Sequence, residues 1–267
     1  MFTTRDICQI LGQLAPLPTA ETWDNVGLIL GRPERPVVRL MTCLTLTPAV
    51  AREATAGKVQ LIVTHHPVLF RATKSITSDT IEGQILLELI EAGIDVYSPH
   101  TAFDNADPGI NQWLAESLGF ASITPLRPFQ QNISGGSGRI GLFAEPQPRQ
   151  VFLEKLATAI DAKYMEVAWH GSDSVVRVGL ACGAAGEYLS DAMQANCDTF
   201  VTGEARFHSA VEGQSRRVNL VLTGHFSSER PAVVKLATVL AERLPGVECF
   251  ASEEDRDPLE LFQFNRS

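Results

Sequence analysis

The chain has 267 residues, of which 45% are hydrophobic and 20% are charged, and its formal net charge is −9. This profile is typical of a globular protein, and the negative charge argues against nucleic acid as a partner because no basic surface replaces counterions. Five cysteines without a C-x-x-C pair argue against a disulfide framework or a thiolate zinc site. The sequence also lacks a signal segment and an apolar run of roughly 20 residues, so we expect a cytoplasmic protein without a membrane partner.

The first half of the chain alternates predicted strands with predicted helices. Thr4 opens an amphipathic helix that ends before Pro16. Thr47 and Pro48 are typical of the cap and first position of a second helix, and Gly93 is the expected stop of a third. The further elements predicted here are strands 28–30, 37–46, 61–64 and 95–98 and helices 80–92 and 110–118. This alternation predicts an α/β lobe with a largely parallel sheet.

A stretch between residues 120 and 138 is rich in Pro, Gly, Ser, Asn and Gln and is the best candidate for a boundary. We therefore expect an N-terminal lobe over residues 1–125 and a C-terminal lobe over residues 126–267. The second lobe is predicted to contain helices 151–160, 187–195 and 232–243 and strands 175–182, 199–203, 220–223 and 247–250. The predicted fold class is α/β, with two facing lobes whose strand ends border one cleft.

Several predicted strands end at a histidine. The histidines concerned are His65 and His66 after strand 61–64, His100 after strand 95–98, and His225 after strand 220–223. Successive side chains of a strand point to opposite faces, so His65 and His66 reach one site only if the chain turns there, and Pro67 favours a turn. A metal site is one interpretation of this pair, and one packed and one solvated histidine is the other.

Asp104 lies four residues beyond His100. Its two carboxylate oxygens can bind two different cations, which would make it a bridging ligand. The alternative is a structural role, in which Asp104 caps the turn that leads to Pro108. The motif alone favours the structural role.

Glu229 lies four residues beyond His225. Residues with this spacing share one face of a helix, so the two side chains can bind one metal ion together. Pro231 disfavours helical angles at Arg230, and we therefore expect the helix to begin only near residue 227 or 228. In that position Glu229 can alternatively act as a capping carboxylate in the first turn.

The candidate metal ligands combine three imidazoles with two carboxylates. They are His65, His66, Asp104, His225 and Glu229. Nitrogen and oxygen ligands without sulfur suit zinc, manganese or iron(II) and do not distinguish among them. Two divalent ions roughly 3.5–4 Å apart would lower the pKa of a bridging water and support hydrolysis.

A second group of residues has weaker signals. Glu204, His208 and His100 lie beyond strand ends and are candidates for an acid, a base or a support of the metal ligands; His208 can equally be a surface residue. Arg71 and Lys74 follow the His-His-Pro turn and can bind a substrate phosphate, although solvated surface cations are more common.

Three further features carry weaker signals. The first two have two interpretations each, and the third is expected to be structural. Asp24 and Asn25 either line the cleft or fix a loop. The turn at residues 183–186 either receives an anion at a helix start or packs a strand against a helix. Cys43 and Cys182 lie in apolar runs and are expected to be small core residues.

Five segments occur in the order seen in the interacting-factor-3-like family, whose members are widely labelled GTP cyclohydrolase I type 2 homologues. They are Trp23-Asp24-Asn25-Val26-Gly27-Leu28, Thr64-His65-His66-Pro67, His100-Thr101-Ala102-Phe103-Asp104, Thr202-Gly203-Glu204 and Gly224-His225-Phe226-Ser227-Ser228-Glu229. The chain resembles this family over almost its whole length. The resemblance implies a two-lobed α/β fold with a dinuclear metal site between the lobes and a toroidal hexamer, and the chain is too short for the inserted middle domain of longer relatives. The family's ligand positions fall on His65, His66, Asp104, His225 and Glu229.

One position departs from the family pattern. The family often has a Leu-Asp-x-Thr run after its second strand, whereas this chain has Leu44-Thr45-Leu46-Thr47. Thr45 therefore replaces the aspartate. The position is not one of the five ligands, so the departure bears on a supporting carboxylate and not on the metal site itself.

Two functions are compatible with these motifs. The first is a metal-dependent hydrolase that uses a metal-activated water on a small molecule, such as a nucleotide or another phosphoester. The second is a non-catalytic metal-binding regulator or scaffold that acts as an oligomeric ring. The GTP cyclohydrolase label rests on the resemblance alone, and an open coordination position would favour the enzyme.

Overall fold

The structure is a computed structural model that describes residues 1–129 and 135–262. Its strands form two sheets with helices packed against them, which confirms the predicted α/β class. The strands are β1 (Gly27–Leu30), β2 (Arg39–Cys43), β3 (Leu61–Thr64), β4 (Asp95–Ser98), β5 (Ser122–Pro128), β6 (Gly136–Pro148), β7 (Glu166–Ala168), β8 (Ser174–Ala181), β9 (Thr199–Thr202), β10 (Asn219–Leu222) and β11 (Glu248–Ala251). The helices are α1 (Thr4–Leu14), α2 (Pro48–Ala56), α3 (Ile81–Ala92), α4 (His100–Asn105), α5 (Ile110–Ser117), α6 (Arg149–Ala159), α7 (Leu189–Gln194), α8 (Phe207–Arg216) and α9 (His225–Arg243).

The first sheet has the strand order β1-β4-β3-β2-β11. All neighbouring strands are parallel except β1 and β4. Both faces of the central strand β3 are buried: Leu61 and Val63 belong to one core cluster, and Ile62 belongs to another. This arrangement explains the uninterrupted apolar run of β3, because a parallel strand covered on both faces does not alternate with polar residues.

The second sheet has the strand order β5-β6-β8-β9-β10-β7. Its central strands β8, β9 and β10 are parallel, and antiparallel strands flank them. The segment expected to be a boundary contributes the edge strand β5 and the start of β6, and its residues 130–134 lie outside the described part of the chain. Pro125 and Pro128 are compatible with β5 because an edge strand has backbone groups that need no partner.

The last strand, β11, returns to the first sheet. It pairs with β2 in parallel, with Glu248 opposite Arg39 and Ala251 opposite Thr42. Helix α9 precedes β11, and its residues Leu236 and Leu240 lie in the core cluster of the first sheet. The division into lobes between residues 125 and 126 stays a prediction. The structure shows in addition that β11, from the predicted C-terminal lobe, joins the sheet of the N-terminal lobe.

The helix ends follow the predicted capping rules, with one exception. Thr3 caps α1, Thr47 caps α2, and Gly93 ends α3 with a left-handed φ of 68°. The prediction that α9 begins near residue 227 or 228 is wrong, because the helix begins at His225 and includes Pro231.

The first turn of α9 explains this difference. The backbone N–H of Ser228 donates to the carbonyl of Gly224, and the Ser228 hydroxyl donates to the carbonyl of His225. These bonds hold the turn that precedes Pro231, so the missing N–H of the proline does not end the helix. Glu229 therefore lies in the second turn of the helix and not at its N-terminus.

The cysteines are free, and Cys43 is buried as expected. Cys182 is only partly buried and lines a cavity, so its assignment as a simple core residue is incomplete. Within the described residues, no helix has the length and hydropathy needed to cross a membrane.

Candidate metal centre

Histidines from both sheets meet at the carboxyl ends of neighbouring strands. His65 and His66 follow β3, and their ring centroids lie 5.1 Å apart. The ring of His100, which follows β4, lies 5.2 Å from that of His65, and the ring of His225, which follows β10, lies 5.2 Å from that of His66. The four imidazoles therefore form one cluster, in which the adjacent carboxyl ends of the parallel strands β3 and β4 meet the carboxyl end of β10 from the second sheet.

The carboxylate of Glu229 lies at the centre of this cluster. Its Oε2 atom is 3.1 Å from Nε2 of His225 and 3.2 Å from Nε2 of His66. Its Oε1 atom is 3.9 Å from Nε2 of His65, which in turn is 3.6 Å from Oδ1 of Asp104. The structure thus brings all five residues predicted as metal ligands into contact.

These side chains form ligand sets whose donor atoms lie within 4.8 Å of one another. One set contains His66, His225 and Glu229, and a second contains His65, Asp104 and Glu229. A further set joins His65 and His66 with His100. Glu229 belongs to both carboxylate-containing sets and Asp104 to one.

Several polar atoms of the cluster are buried without a hydrogen-bond partner. They include both ring nitrogens of His65, Oδ1 of Asp104 and Oε2 of Glu229. A buried polar atom without a partner is costly and rare, and an ion that binds several such atoms removes the cost. The cluster therefore passes a physical test for a cation site, with nitrogen and oxygen donors that suit zinc, manganese or iron(II).

The pKa values of the cluster reflect its burial and its crowded charges. Burial lowers the pKa of His65 well below its ordinary value, and burial together with Glu229 raises the pKa of Asp104 well above its ordinary value. Burial acts to raise the pKa of Glu229, but the nearby imidazoles of His225 and His66 outweigh it and lower that pKa. The contact with Glu229 raises the pKa of His225 to about 9, against the opposing effect of burial.

Gly183 allows Glu229 to reach its position. It has a left-handed φ of +69°, and a Cβ atom placed on it would lie 2.2 Å from Oε1 of Glu229. Glycine adopts such a φ without steric cost and leaves room for the carboxylate. The turn at residues 183–186, for which we considered an anion site or simple packing, thus makes room for a candidate ligand.

Three rings of the cluster have their Nδ1 atom beside an oxygen acceptor or donor. The pairs are Thr45 Oγ1 with His66 at 2.8 Å, Glu204 Oε1 with His225 at 3.3 Å, and Asp24 Oδ1 with His100 at 2.7 Å. A contact at Nδ1 fixes the ring orientation and leaves the other nitrogen available to a metal or a substrate. The structure therefore places Glu204 as a support of His225.

Asp24 fixes the start of helix α4. Its buried carboxylate accepts hydrogen bonds from the backbone N–H and the hydroxyl of Thr101 as well as from His100. Burial opposes its charge, but these bonds outweigh burial and lower the pKa of Asp24 to about 2. His100 has an unusual φ of 28° for a residue other than glycine, so the ionised Asp24 holds a strained residue at the site.

Other candidates lie away from the cluster. His208 is exposed on α8, where its ring contacts Phe207, and it belongs to none of the ligand sets found among the described residues. Arg71 and Lys74 are exposed, and neither lines the cavity beside the cluster. The structure thus favours the interpretation of these two residues as surface cations.

A cavity of about 450 Å³ lies beside the cluster. His66, His100, Asp104, His225 and Glu229 contribute to its wall. Several residues that the sequence did not predict complete the wall, and these include Phe70, Ser137 and Tyr188. No candidate metal ligand adjoins Ser137 or Tyr188 in the sequence. Phe70 lies three residues after the His-His-Pro turn, and this was the one signal that could have pointed to a role.

These features define a two-sheet α/β protein with a partly buried histidine–carboxylate cluster at its strand ends. Residues 2–258 match the family described as Duf34/NIF3 (NGG1p interacting factor 3). The chain belongs to this family, which confirms the resemblance seen in the sequence motifs.

Similar proteins cover nearly the whole chain. A "GTP cyclohydrolase 1 type 2 homolog" from Clostridium perfringens is 30% identical over 257 residues, which are 96% of this chain and 98% of that protein. A "Protein NIF3 homolog" from Schizosaccharomyces pombe is 33% identical over 256 residues, with 90% and 91% of the two chains covered. Among solved structures, a Bacillus cereus protein related to NIF3 has a TM-score of 0.87 at 21% identity, covering 98% of this chain and 99% of that one. A likeness at this identity supports the shared fold.

Proposed function

We propose that the cluster binds two divalent metal ions and that the protein is a metal-dependent hydrolase acting on a small molecule. The ligands of one ion would be His66, His225 and Glu229, and those of the other His65, Asp104 and Glu229. Two ions bound together supply Lewis acidity and lower the pKa of a coordinated water. The family name GTP cyclohydrolase does not by itself identify the substrate.

One observation supports the proposal most strongly. Nε2 of His65 and Oδ1 of Asp104 are buried 3.6 Å apart, and neither has a hydrogen-bond partner. Oε2 of Glu229 is also buried without such a partner, close to the Nε2 atoms of His66 and His225. A structural cluster would gain stability by pairing these atoms with protein donors, whereas a metal site needs them free. The sharing of Glu229 between two ligand sets supports two ions over one.

The protein groups around the cluster have separable roles in this proposal. Thr45 and Glu204 orient the rings of His66 and His225 through their Nδ1 atoms. Asp24 accepts a hydrogen bond from Nδ1 of His100, because its carboxylate is ionised. Nε2 of His100 is then the ring nitrogen available to hold or move a proton at the wall of the cavity.

The test is a hydrolase screen on protein reconstituted with Mn²⁺, Zn²⁺ or Fe²⁺. The substrates are phosphoesters, nucleotides and amides, and the variants are His65→Ala and Glu229→Ala. Glu242→Gln serves as the matched control because Glu242 is an exposed carboxylate on the same helix as Glu229. We expect metal-dependent turnover that both alanine variants lose and the control keeps.

Two results would contradict the proposal in different ways. If the protein binds metal but turns over none of the substrates, hydrolysis of these substrate classes is excluded and a regulator or scaffold is favoured. Turnover that survives in both alanine variants would mean that the reaction takes place elsewhere. The metal content of the protein is measured separately, so metal binding and hydrolysis are tested independently of each other.

A further inference from the structure

We propose that the cavity beside the cluster binds a planar heteroaromatic ring, neutral or cationic, that carries no phosphate chain. This inference deepens the proposed function and rests on it for the reaction, although ring binding can be measured without metal. The cavity volume of about 450 Å³ lies within the range of roughly 300–1,000 Å³ that is usual for small-molecule sites. The chemistry of its walls narrows the class of ligand.

The first wall is aromatic. Trp23 and Phe70 both line the cavity, and their ring centroids lie 5.9 Å apart with an interplanar angle of 74°. Each ring also contacts His100, at 6.2 Å and 6.1 Å. The three rings thus form one edge-to-face group, and its third ring, His100, belongs to the histidine–carboxylate cluster.

The two large aromatic residues of this group are exposed. Trp23 is 60% exposed and Phe70 is 47% exposed, although both lie beside a cavity. Exposed aromatic rings next to a polar centre are typical of a surface that a ligand covers. Stacking on such rings is available to any flat π-system and contributes to ring binding in many proteins.

The second wall is polar and carries negative charge. Glu21 accepts hydrogen bonds from Ser137 and Asn105, and Glu187 is exposed beside Tyr188. These two carboxylates belong to none of the metal ligand sets described above, so bound metal would not neutralise them directly. Ring N–H groups, exocyclic amino groups or a ring cation can pair with such acceptors.

The cationic groups in and near the cavity are paired with carboxylates: the imidazole of His225, which lines the cavity, lies beside Glu229 and Glu204. Among its described lining residues there is no lysine and no arginine. Arg127 stacks over the ring of Tyr188, but its guanidinium is paired with Asp191. A polyphosphate chain needs several cationic or N–H donors, so in the absence of metal the cavity disfavours a nucleoside triphosphate relative to its nucleoside.

The test measures binding by calorimetry, with chelator-treated protein and with metal-loaded protein. The probes are adenosine as a neutral ring, 1-methylnicotinamide as a cationic ring, and ATP as a ring with a phosphate chain. The variants are Trp23→Leu and Phe70→Leu, and Phe207→Leu is the matched control because Phe207 is 78% exposed on α8 and does not line the cavity. Circular dichroism confirms that each variant is folded.

We expect both phosphate-free rings to bind chelator-treated protein, and ATP to bind it more weakly than adenosine. Trp23→Leu and Phe70→Leu should each weaken ring binding by roughly tenfold, and Phe207→Leu should leave it unchanged. The inference is overturned if neither ring binds, if the two cavity variants bind like the wild type, or if ATP binds the metal-free protein more tightly than adenosine. Ring binding by a protein that never binds metal would refute the proposed hydrolase and not this inference.

Discussion

The hydroxyl oxygen of Thr45 lies 2.8 Å from Nδ1 of His66. The other nitrogen of that ring, Nε2, lies 3.2 Å from the carboxylate of Glu229. Thr45 is the residue that replaces the aspartate of the family pattern. The group beside Nδ1 of His66 in this chain is therefore a neutral hydroxyl, where an aspartate would be a charged acceptor.

Replacing Thr45 tests this supporting contact. We predict that Thr45→Val lowers the affinity for divalent metal by about tenfold, the lower end of the effect of removing a partner of a metal-bound histidine. Thr45→Ser keeps a hydroxyl and should retain the wild-type affinity, and Thr45→Asp should bind at least as tightly as the wild type. Competition with a coloured chelator measures all three. Equal affinities of the valine and serine variants would mean that the contact does not support metal binding.

The two carboxylates of the cluster should differ in their effect on metal stoichiometry. Because Glu229 belongs to two ligand sets and Asp104 to one, we predict that Glu229→Gln loses both ions and that Asp104→Asn loses one. Inductively coupled plasma mass spectrometry on dialysed protein gives the ratio of metal to chain. The same ratio in the two variants would show that Glu229 is not shared.

Gly183 offers a test of the close approach to Glu229. An alanine Cβ would lie 2.2 Å from Oε1 of Glu229 at a φ of +69°, so Gly183→Ala should destabilise the fold by roughly 1–3 kcal/mol and reduce metal content. Gly246→Ala is the matched control, because Gly246 also has a positive φ of +90° but no described atom lies within 4 Å of the added Cβ. Denaturant unfolding and metal analysis should separate the two variants. Equal metal content in both would contradict the account.

The metal-free protein should lose stability in mild base. The pKa of His225 is about 9 in the folded protein, above its ordinary value of about 6.5. A raised pKa means that the charged imidazole stabilises the fold, so this contribution is complete below about pH 6.5 and is lost as the pH rises through about 9. Unfolding of chelator-treated wild type and His225→Gln between pH 6 and 9.5 measures it. The stability difference between the two proteins should shrink with rising pH, and a constant difference would contradict the assignment.

Much of the cluster was predictable because its ligands lie at the ends of apolar runs. Strand β3 reads as a buried strand by its composition, and His65 follows it directly. Strand β10 has the same design before His225. These local patterns select the histidines, whereas β3 and β10 belong to different sheets and their meeting has no local signal. Asp104 and Glu229 were selected by their spacing of four residues from a histidine, together with the family resemblance.

The remaining features depend on contacts between residues far apart in the sequence. The central position of the Glu229 carboxylate depends on Gly183, which is 46 positions earlier and leaves room for it by having no Cβ atom at a left-handed φ. The early start of α9 depends on hydrogen bonds of Ser228 that outweigh the local preference set by Pro231. The return of β11 to the first sheet depends on packing of α9. None of these has a local signal.

Anomalous X-ray diffraction from crystals of protein purified without chelator tests the central claim most directly. Data collected at the absorption edges of zinc, manganese and iron would identify any bound ion and its position. We predict two peaks on either side of the Glu229 carboxylate, one near His66 and His225 and the other near His65 and Asp104. Crystals grown from protein supplied with these metals that show no anomalous peak among these residues would contradict it.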